Sequence, residues 1–209
     1  YQPGLYRLVN RQNDFQIDYD VQSWQIETNT SALANGTYEI DRNNRITYNF
    51  LFVNLSTDDF RETGETTGFH FDYQSPIFTR RYTFRQNDLM VNQIYGEHEF
   101  GNWKIRWDGS WNRATSTEPD RRQFVYLRQG ENFLINTLDF NENHRFYSEL
   151  EENEYNARVM ATYALKTDDD GESLWDVVFG GEIKRKKRLF DYWQVNIDFQ
   201  NYVNSDGAV

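Results

Sequence analysis

Residues 100–111, FGNWKIRWDGSW, alternate between two kinds of side chain with a period of two. Trp103, Trp107 and Trp111 fall on one parity, and the opposite parity carries lysine, arginine, aspartate and serine. Successive side chains of a β-strand point to opposite faces, whereas a helix would scatter them around its circumference. The segment is therefore predicted to be a strand with one aromatic and one ionic face. In a water-soluble sheet the aromatic face would cover a core, and in an outer-membrane barrel it would contact lipid.

The same period recurs in three predicted hairpins, near residues 30–53, 88–112 and 147–190. DRNN at 41–44 supplies turn residues for the first hairpin, and the Gly101-Asn102 dipeptide is a strong signal for a two-residue loop in the second. A two-residue loop sets Phe100 opposite Trp103 and Ile94 opposite Gly109. In the third hairpin, the register that sets Leu165 opposite Trp175 also sets Tyr163 opposite Val177. No run approaches the roughly 18 consecutive apolar residues of a membrane helix, so a helical span is excluded.

The connections between these hairpins are predicted to be long polar loops, near residues 54–87 and 112–146. Pro3, Pro76 and Pro119 all fall in segments that we assign to loops, as expected where strands need their backbone amides. Short turns would then alternate with long loops, which is the asymmetry of outer-membrane barrels.

Aromatic residues gather beside the predicted short turns, where they would form a girdle at a membrane interface. The residues of this girdle and of the adjoining lipid-facing surface are Tyr38, Tyr48, Phe50, Phe100, Trp103, Trp107, Trp111, Tyr163, Trp175 and Phe179.

Composition narrows the class of protein further. The 209 residues include 22 basic and 33 acidic side chains, and the net charge of −11 argues against binding to nucleic-acid phosphates. The absence of cysteine excludes disulfides and thiolate metal sites. A mean hydropathy of −0.89 would suggest disorder, but an aromatic content of 17% is too high for a solvated tail.

These patterns predict an all-β protein of antiparallel up-and-down hairpins, forming a partial transmembrane-type barrel of about six strands. So few strands of a large barrel would leave two unpaired edges, and we expect the piece to self-associate or to lie beside neighbouring strands. The alternative is a soluble extracellular β-sandwich that binds glycans through exposed aromatic residues. That alternative needs aromatic faces that oppose each other across a core, and it does not need short turns on one edge.

Several loose motifs occur in an order that resembles the barrel of TonB-dependent outer-membrane receptors of the Bacteroidetes type. The likeness covers roughly residues 23–200 and rests on four runs: SWQIETNTSALANGTYEIDRNNRITYNFLF, GEHEFGNWKIRWDGSWNRATSTEPDRRQF, NHRFYSELEENEYNARVMATYAL and DVVFGGEIKRKKRLFDY. The resemblance implies a barrel of roughly 22 strands closed by an N-terminal plug. Such receptors import siderophores, cobalamin or oligosaccharides with energy passed on by TonB.

This chain begins at Tyr1 with neither a methionine nor a signal-like segment, and we find no plug in it. Residues 1–209 are therefore interpreted as a single barrel fragment of a longer receptor, and we do not expect this fragment to transport by itself. Its expected partners are outer-membrane lipid, the remaining barrel and plug, and TonB through that plug.

Two charged runs, ELEENE at 149–154 and KRKKR at 184–188, suggest a functional site. The third hairpin's register would set Glu152 opposite Arg188 and Glu154 opposite Lys186, so a cross-strand charge ladder is the favoured interpretation. Binding of lipopolysaccharide phosphates by the basic run is the alternative.

We expect no catalytic residue, no cofactor and no metal site. The three histidines, His70, His98 and His144, are dispersed, whereas a metal site needs ligands that converge. The pair Glu97 and Glu99 projects from one strand face, but such pairs arise by chance in a chain this acidic.

Overall fold

The computed structural model describes residues 2–9, 15–67, 77–137, 141–167 and 173–199, and their side chains from residue 21 onward with a few further gaps. All of the assigned elements are strands of one antiparallel sheet. The strands are β1 (Gln2–Val9), β2 (Phe15–Asp41), β3 (Asn44–Thr67), β4 (Ile77–Phe100), β5 (Trp103–Gln129), β6 (Asn132–Ile135), β7 (His144–Thr167) and β8 (Ser173–Asn196).

The sheet has an up-and-down topology in which chain neighbours are also hydrogen-bonded neighbours. Its order is β1-β2-β3-β4-β5-β7-β8, and the short β6 pairs with the end of β5. The six long strands have 24 or 27 residues each. At about 3.3 Å per residue, each of these strands is about 80 Å long. The predicted all-β, antiparallel, up-and-down class is confirmed. The predicted count of about six strands is too low, because β1 and β6 join the six long strands in the sheet.

Two tight turns fix the register at one end of the sheet. Arg42 and Asn43 connect β2 to β3, and Asp41 Oδ1 accepts hydrogen bonds of 2.8 Å from the Asn43 amide and from Asn44 Nδ2. These bonds, led by the one from Asn44, hold the pKa of the Asp41 carboxyl below its usual value. Gly101, which begins the β4–β5 turn, has a φ of 58°, a region that favours glycine.

The register predicted from these turns is present in the sheet. Phe100 lies opposite Trp103 and Ile94 opposite Gly109. In the third hairpin Tyr163 lies opposite Val177.

The predicted pairing of Leu165 with Trp175 is wrong, because the ladder shifts between Ala164 and Lys166. Lys166 lies opposite Trp175 instead. The irregularity stands next to residues 168–172, which lie outside the described residues, as do most of the predicted turn residues there.

The long loops predicted near residues 54–87 and 112–146 are wrong over most of their length. β3 continues to Thr67, β4 begins at Ile77, and β5 continues to Gln129. These segments are rich in Asp, Asn, Thr and Arg, a composition that suggests loops. A segment with polar side chains on both faces can nevertheless form a strand. Residues 68–76, including Pro76 and His70, lie outside the described residues.

The loop prediction is also wrong for Pro3 and Pro119: Pro3 lies in the edge strand β1, opposite Gln22, and Pro119 lies inside β5. The pairing of β5 with β7 shifts between Glu118 and Arg121, and its pairing with β4 is interrupted between Tyr82 and Gln86. Proline has no amide hydrogen to donate to a ladder, so a proline within a sheet is found at a bulge or an edge. The bulge therefore accommodates Pro119 without ending the strand.

The sheet is a single layer in the part of the chain that the structure describes. Its two buried apolar residues there, Ile77 and Val125, are 5% and 3% exposed, while many large apolar side chains are exposed. No second sheet covers either face among these residues, and the pairing runs from β1 to β8 without joining them. Within these residues the sheet is therefore open, and other described residues leave most of its large apolar side chains exposed.

Candidate functional site

One face of the sheet carries a continuous apolar band beside the short turns. Trp103, Trp107 and Trp111 share this face, as the pairing and the ring contacts require: the Trp103 ring lies 4.8 Å from that of Tyr163 and 5.7 Å from that of Phe179. The other predicted girdle and lipid-facing residues on this face are Tyr38, Tyr48, Phe50 and Phe100. Trp175 has the parity of Val177 on β8 but stands beyond the shift in the ladder.

The apolar band has a defined height. From Trp103 to Trp111 it covers nine residues of β5, or about 30 Å of strand. With the strand tilt of membrane barrels this corresponds to about 25 Å, the height of the apolar band of outer-membrane proteins.

Polar groups take over on the same face beyond that level. Asp88 accepts hydrogen bonds from Asn54 Nδ2 at 2.5 Å and from Thr115 Oγ1 at 3.2 Å. Next to them Arg113 Nε lies 3.5 Å from Glu151. The band thus ends in a hydrogen-bonded polar row rather than fading gradually.

The opposite face, which we call the polar face, is ionic at the level of the apolar band. Glu97 bonds to Arg45 and lies 3.0 Å from Arg106 Nε. Asp108 Oδ1 lies 2.6 Å from Arg158 Nη2. These pairs occupy the strand parity opposite to the tryptophans, so an apolar surface and an ionic surface lie back to back.

The two charged runs meet on the polar face just beyond the level of the apolar band. Glu152 lies opposite Arg188 and Glu154 opposite Lys186, in the predicted register. Arg188 Nη2 is 2.6 Å from Glu152, and Lys186 Nζ is 2.5 Å from Glu152 and 4.0 Å from Glu154. Hydrogen bonds from Lys186 and then Arg188 hold the pKa of the Glu152 carboxyl below its usual value.

In the described ranges, neighbouring side chains engage His98 and the acidic pair. His98 Nδ1 is 2.8 Å from Asn44 Oδ1, and its Nε2 accepts a 3.0 Å hydrogen bond from Trp107 Nε1. Glu99 is engaged by Lys104 at 2.8 Å. Across those ranges, no three His, Asp or Glu residues are grouped so as to hold a metal ion.

None of the described elements is a helix with the length and apolar character needed to cross a membrane.

The polar face also holds a group of arginines that the sequence did not indicate. Arg61, Arg81, Arg85 and Arg121 line one concave region at the end of the sheet remote from the short turns. These residues come from three strands and are up to 60 positions apart in the chain. The one signal in the sequence is the pair of Arg-Arg dipeptides at 80–81 and 121–122, which could not show that their side chains converge.

Comparison with known proteins does not assign the chain. It matches no family model and no curated protein.

Proposed function

We propose that this chain is part of a bacterial outer-membrane receptor that takes up a nutrient ligand, a siderophore, cobalamin or an oligosaccharide, in a TonB-dependent way. The observation that carries the proposal is the apolar band of membrane height on one face of a single-layered sheet whose other face is ionic. Lipid would contact the band, and the polar face would line the interior of a barrel. Short turns and an aromatic girdle on one edge support the same arrangement.

The open edges of the sheet define the partners of the proposal. The outer edge of β8 and that of β1 are unpaired within the described residues, and backbone amides cannot be left unpaired in lipid. Neighbouring strands of the same receptor would complete the barrel, and a plug would connect it to TonB. By itself this piece would not transport.

The glycan-binding sandwich receives less support. A sandwich places two sheets face to face with their apolar sides in contact, and the described residues form one sheet. In addition, aromatic residues that stack on sugars have no reason to form a band of defined height, so the sandwich does not explain the band.

Quenching of tryptophan fluorescence by brominated lipids tests the membrane placement. For the chain folded in lipid vesicles, we expect strong quenching of Trp103 and Trp107 and weak quenching of Trp193, which stacks on Tyr147 at 3.8 Å near the other end of the sheet. Variants that keep one tryptophan each, with the others changed to Phe, separate the signals. Equal quenching of all three positions would contradict the proposed level of the membrane.

Uptake needs a test in the producing bacterium. Deleting the coding segment should abolish growth on one supplied nutrient, ferric siderophore, cobalamin or oligosaccharide, and removing TonB should have the same effect. If the deletion damages membrane integrity but does not reduce the uptake of any of these nutrients, the proposed uptake function is wrong and the barrel has a different function.

A further inference from the structure

The arginine pocket, formed by Arg61, Arg81, Arg85 and Arg121, has an excess of positive charge in an acidic protein. Among the described residues, these four guanidinium groups lie beside two carboxylates, those of Asp59 and Glu118. The described residues thus give a local charge of +2 in a chain whose net charge is −11. Asp59 is shared, because its Oδ1 also accepts a 2.6 Å hydrogen bond from Ser23. The pocket is therefore a positive site on a negative molecule.

A buried carboxylate holds two of the guanidinium groups in place. Glu118 is 4% exposed, and its Oε2 accepts a 2.8 Å hydrogen bond from Arg85 Nη2 while its Oε1 lies 3.2 Å from Arg121 Nη1. The Arg121 guanidinium also stacks on the ring of Phe146 at 4.2 Å. Such contacts fix the orientation of an arginine, so less conformational freedom is lost when it binds a ligand.

The same groups retain unused capacity to donate. Arg81 Nε donates to Gln123 Oε1 at 2.8 Å, and its Nη2 donates to the same oxygen. These bonds use two of the five N–H donors of the guanidinium. Burial, and then the charges of Arg121 and Arg61, lower the pKa of Arg81. Like charges are thus close together, and some of their N–H donors are unused. A bound anion would reduce the repulsion between the charges and accept hydrogen bonds from these donors.

We infer that the arginine pocket binds a small oxyanion-rich ligand, one that presents several carboxylate or phosphate groups. Arginine matches both groups through paired N–H donors. The inference rests on the proposed function for its biological meaning, since it gives the chemical class of the ligand that the receptor admits. The binding itself is independent of membrane location.

Isothermal titration with citrate and with pyrophosphate tests the inference on the full chain folded in detergent. Each of Arg81→Gln and Arg121→Gln is expected to weaken binding of the preferred anion about tenfold or more, because each removes charge-assisted hydrogen bonds. Arg42→Gln is the matched control, since Arg42 is an exposed turn residue at the other end of the sheet, and it should leave the affinity within about twofold. The stronger of the two anions distinguishes a carboxylate ligand from a phosphate ligand.

Arginine modification by phenylglyoxal provides a measurement on the unmutated chain. Citrate or pyrophosphate should protect Arg81 and Arg121 from modification, as seen by mass spectrometry, and should leave Arg42 unprotected. No binding of either anion by the folded chain, or equal binding by all variants, would overturn the inference. That result would leave the membrane placement untouched, because lipid quenching measures the latter separately.

Discussion

Gly180 lies against the backbone of the neighbouring strand, whereas Gly181 next to it lies in open space. A Cβ at Gly180 would meet the Val159 carbonyl oxygen and would lie 3.1 Å from Met160 Cα, and a Cβ at Gly181 meets nothing within 4 Å. We expect Gly180→Ala to lower the free energy of unfolding by about 1–3 kcal/mol, because the ladder must shift to admit the methyl group. Denaturant titration in lipid vesicles measures this.

Gly181→Ala is the matched control. It adds the same methyl group one position away and should be neutral or stabilising by up to about 1 kcal/mol, since it reduces the freedom of the unfolded chain. Equal destabilisation by the two substitutions would show that the close approach at Gly180 does not exist.

His144 gives a second prediction at the residue scale. It is 8% exposed, and burial, followed by the charges of Arg121 and Arg81, lowers its pKa from the ordinary 6.5. The unfolded chain therefore binds a proton at a higher pH than the folded chain does, so stability falls as the pH drops below 6.5 and through the lower folded pKa. In unfolding titrations from pH 7.5 to 5.5, the free energy of unfolding should fall less steeply in His144→Gln than in the unmutated chain. An unchanged pH dependence in the variant would contradict it.

At the scale of elements, the charge ladder joins the distal halves of β7 and β8. Replacing Lys186 and Arg188 by glutamate places like charges beside Glu152 and Glu154, and like charges opposite one another destabilise a strand pair. We expect faster amide hydrogen exchange in the distal half of this hairpin and unchanged exchange near its turn. Added salt should reduce the effect, because the charges are partly exposed.

The adjacent Lys187 supplies the control for that experiment. It lies opposite Asn153 on the other face, so Lys187→Glu introduces a glutamate that does not oppose a carboxylate directly. Its charge change is half that of the double variant, so the effects are compared per substituted residue. If Lys187→Glu alters exchange as much as the double variant does at low salt, the effect comes from net charge and the ladder contributes nothing.

The two halves of each long strand differ in how well the sequence predicts them. Near the turns, Gly101-Asn102 and the alternating tryptophans determine both register and facing, and the prediction holds there. In the distal halves of β3 and β5, polar residues occur on both faces, so period-two alternation weakens and segments such as 54–67 look like loops. These distal segments pair because the register set near the turns continues beyond the apolar band. No local sequence pattern reveals that continuation. The arginine pocket could not be predicted for the same reason, because it lies on those distal halves.

At the scale of the whole molecule, the residues that the structure describes leave the apolar band uncovered and both edges of the sheet open. Trp175 and Ile183, for example, are 69% and 72% exposed on β8, the last strand of the sheet. In water such surfaces associate, and an exposed strand edge is a template for further pairing. Assembly with other strands and contact with lipid would remove both problems together.

We therefore expect that the 209 residues do not form a closed monomer in plain buffer. Light scattering should give a mass well above 25.2 kDa without detergent, since copies would pair through their β8 edges and hide the apolar band. Substituting proline for Val178 and Asp176 removes amide donors from β8 and should reduce this association, whereas detergent alone should cover the band but leave edge pairing. A compact monomer near 25.2 kDa in plain buffer, with Trp103 and Trp107 buried, would mean a self-contained soluble fold, and the glycan-binding sandwich would then become the better explanation.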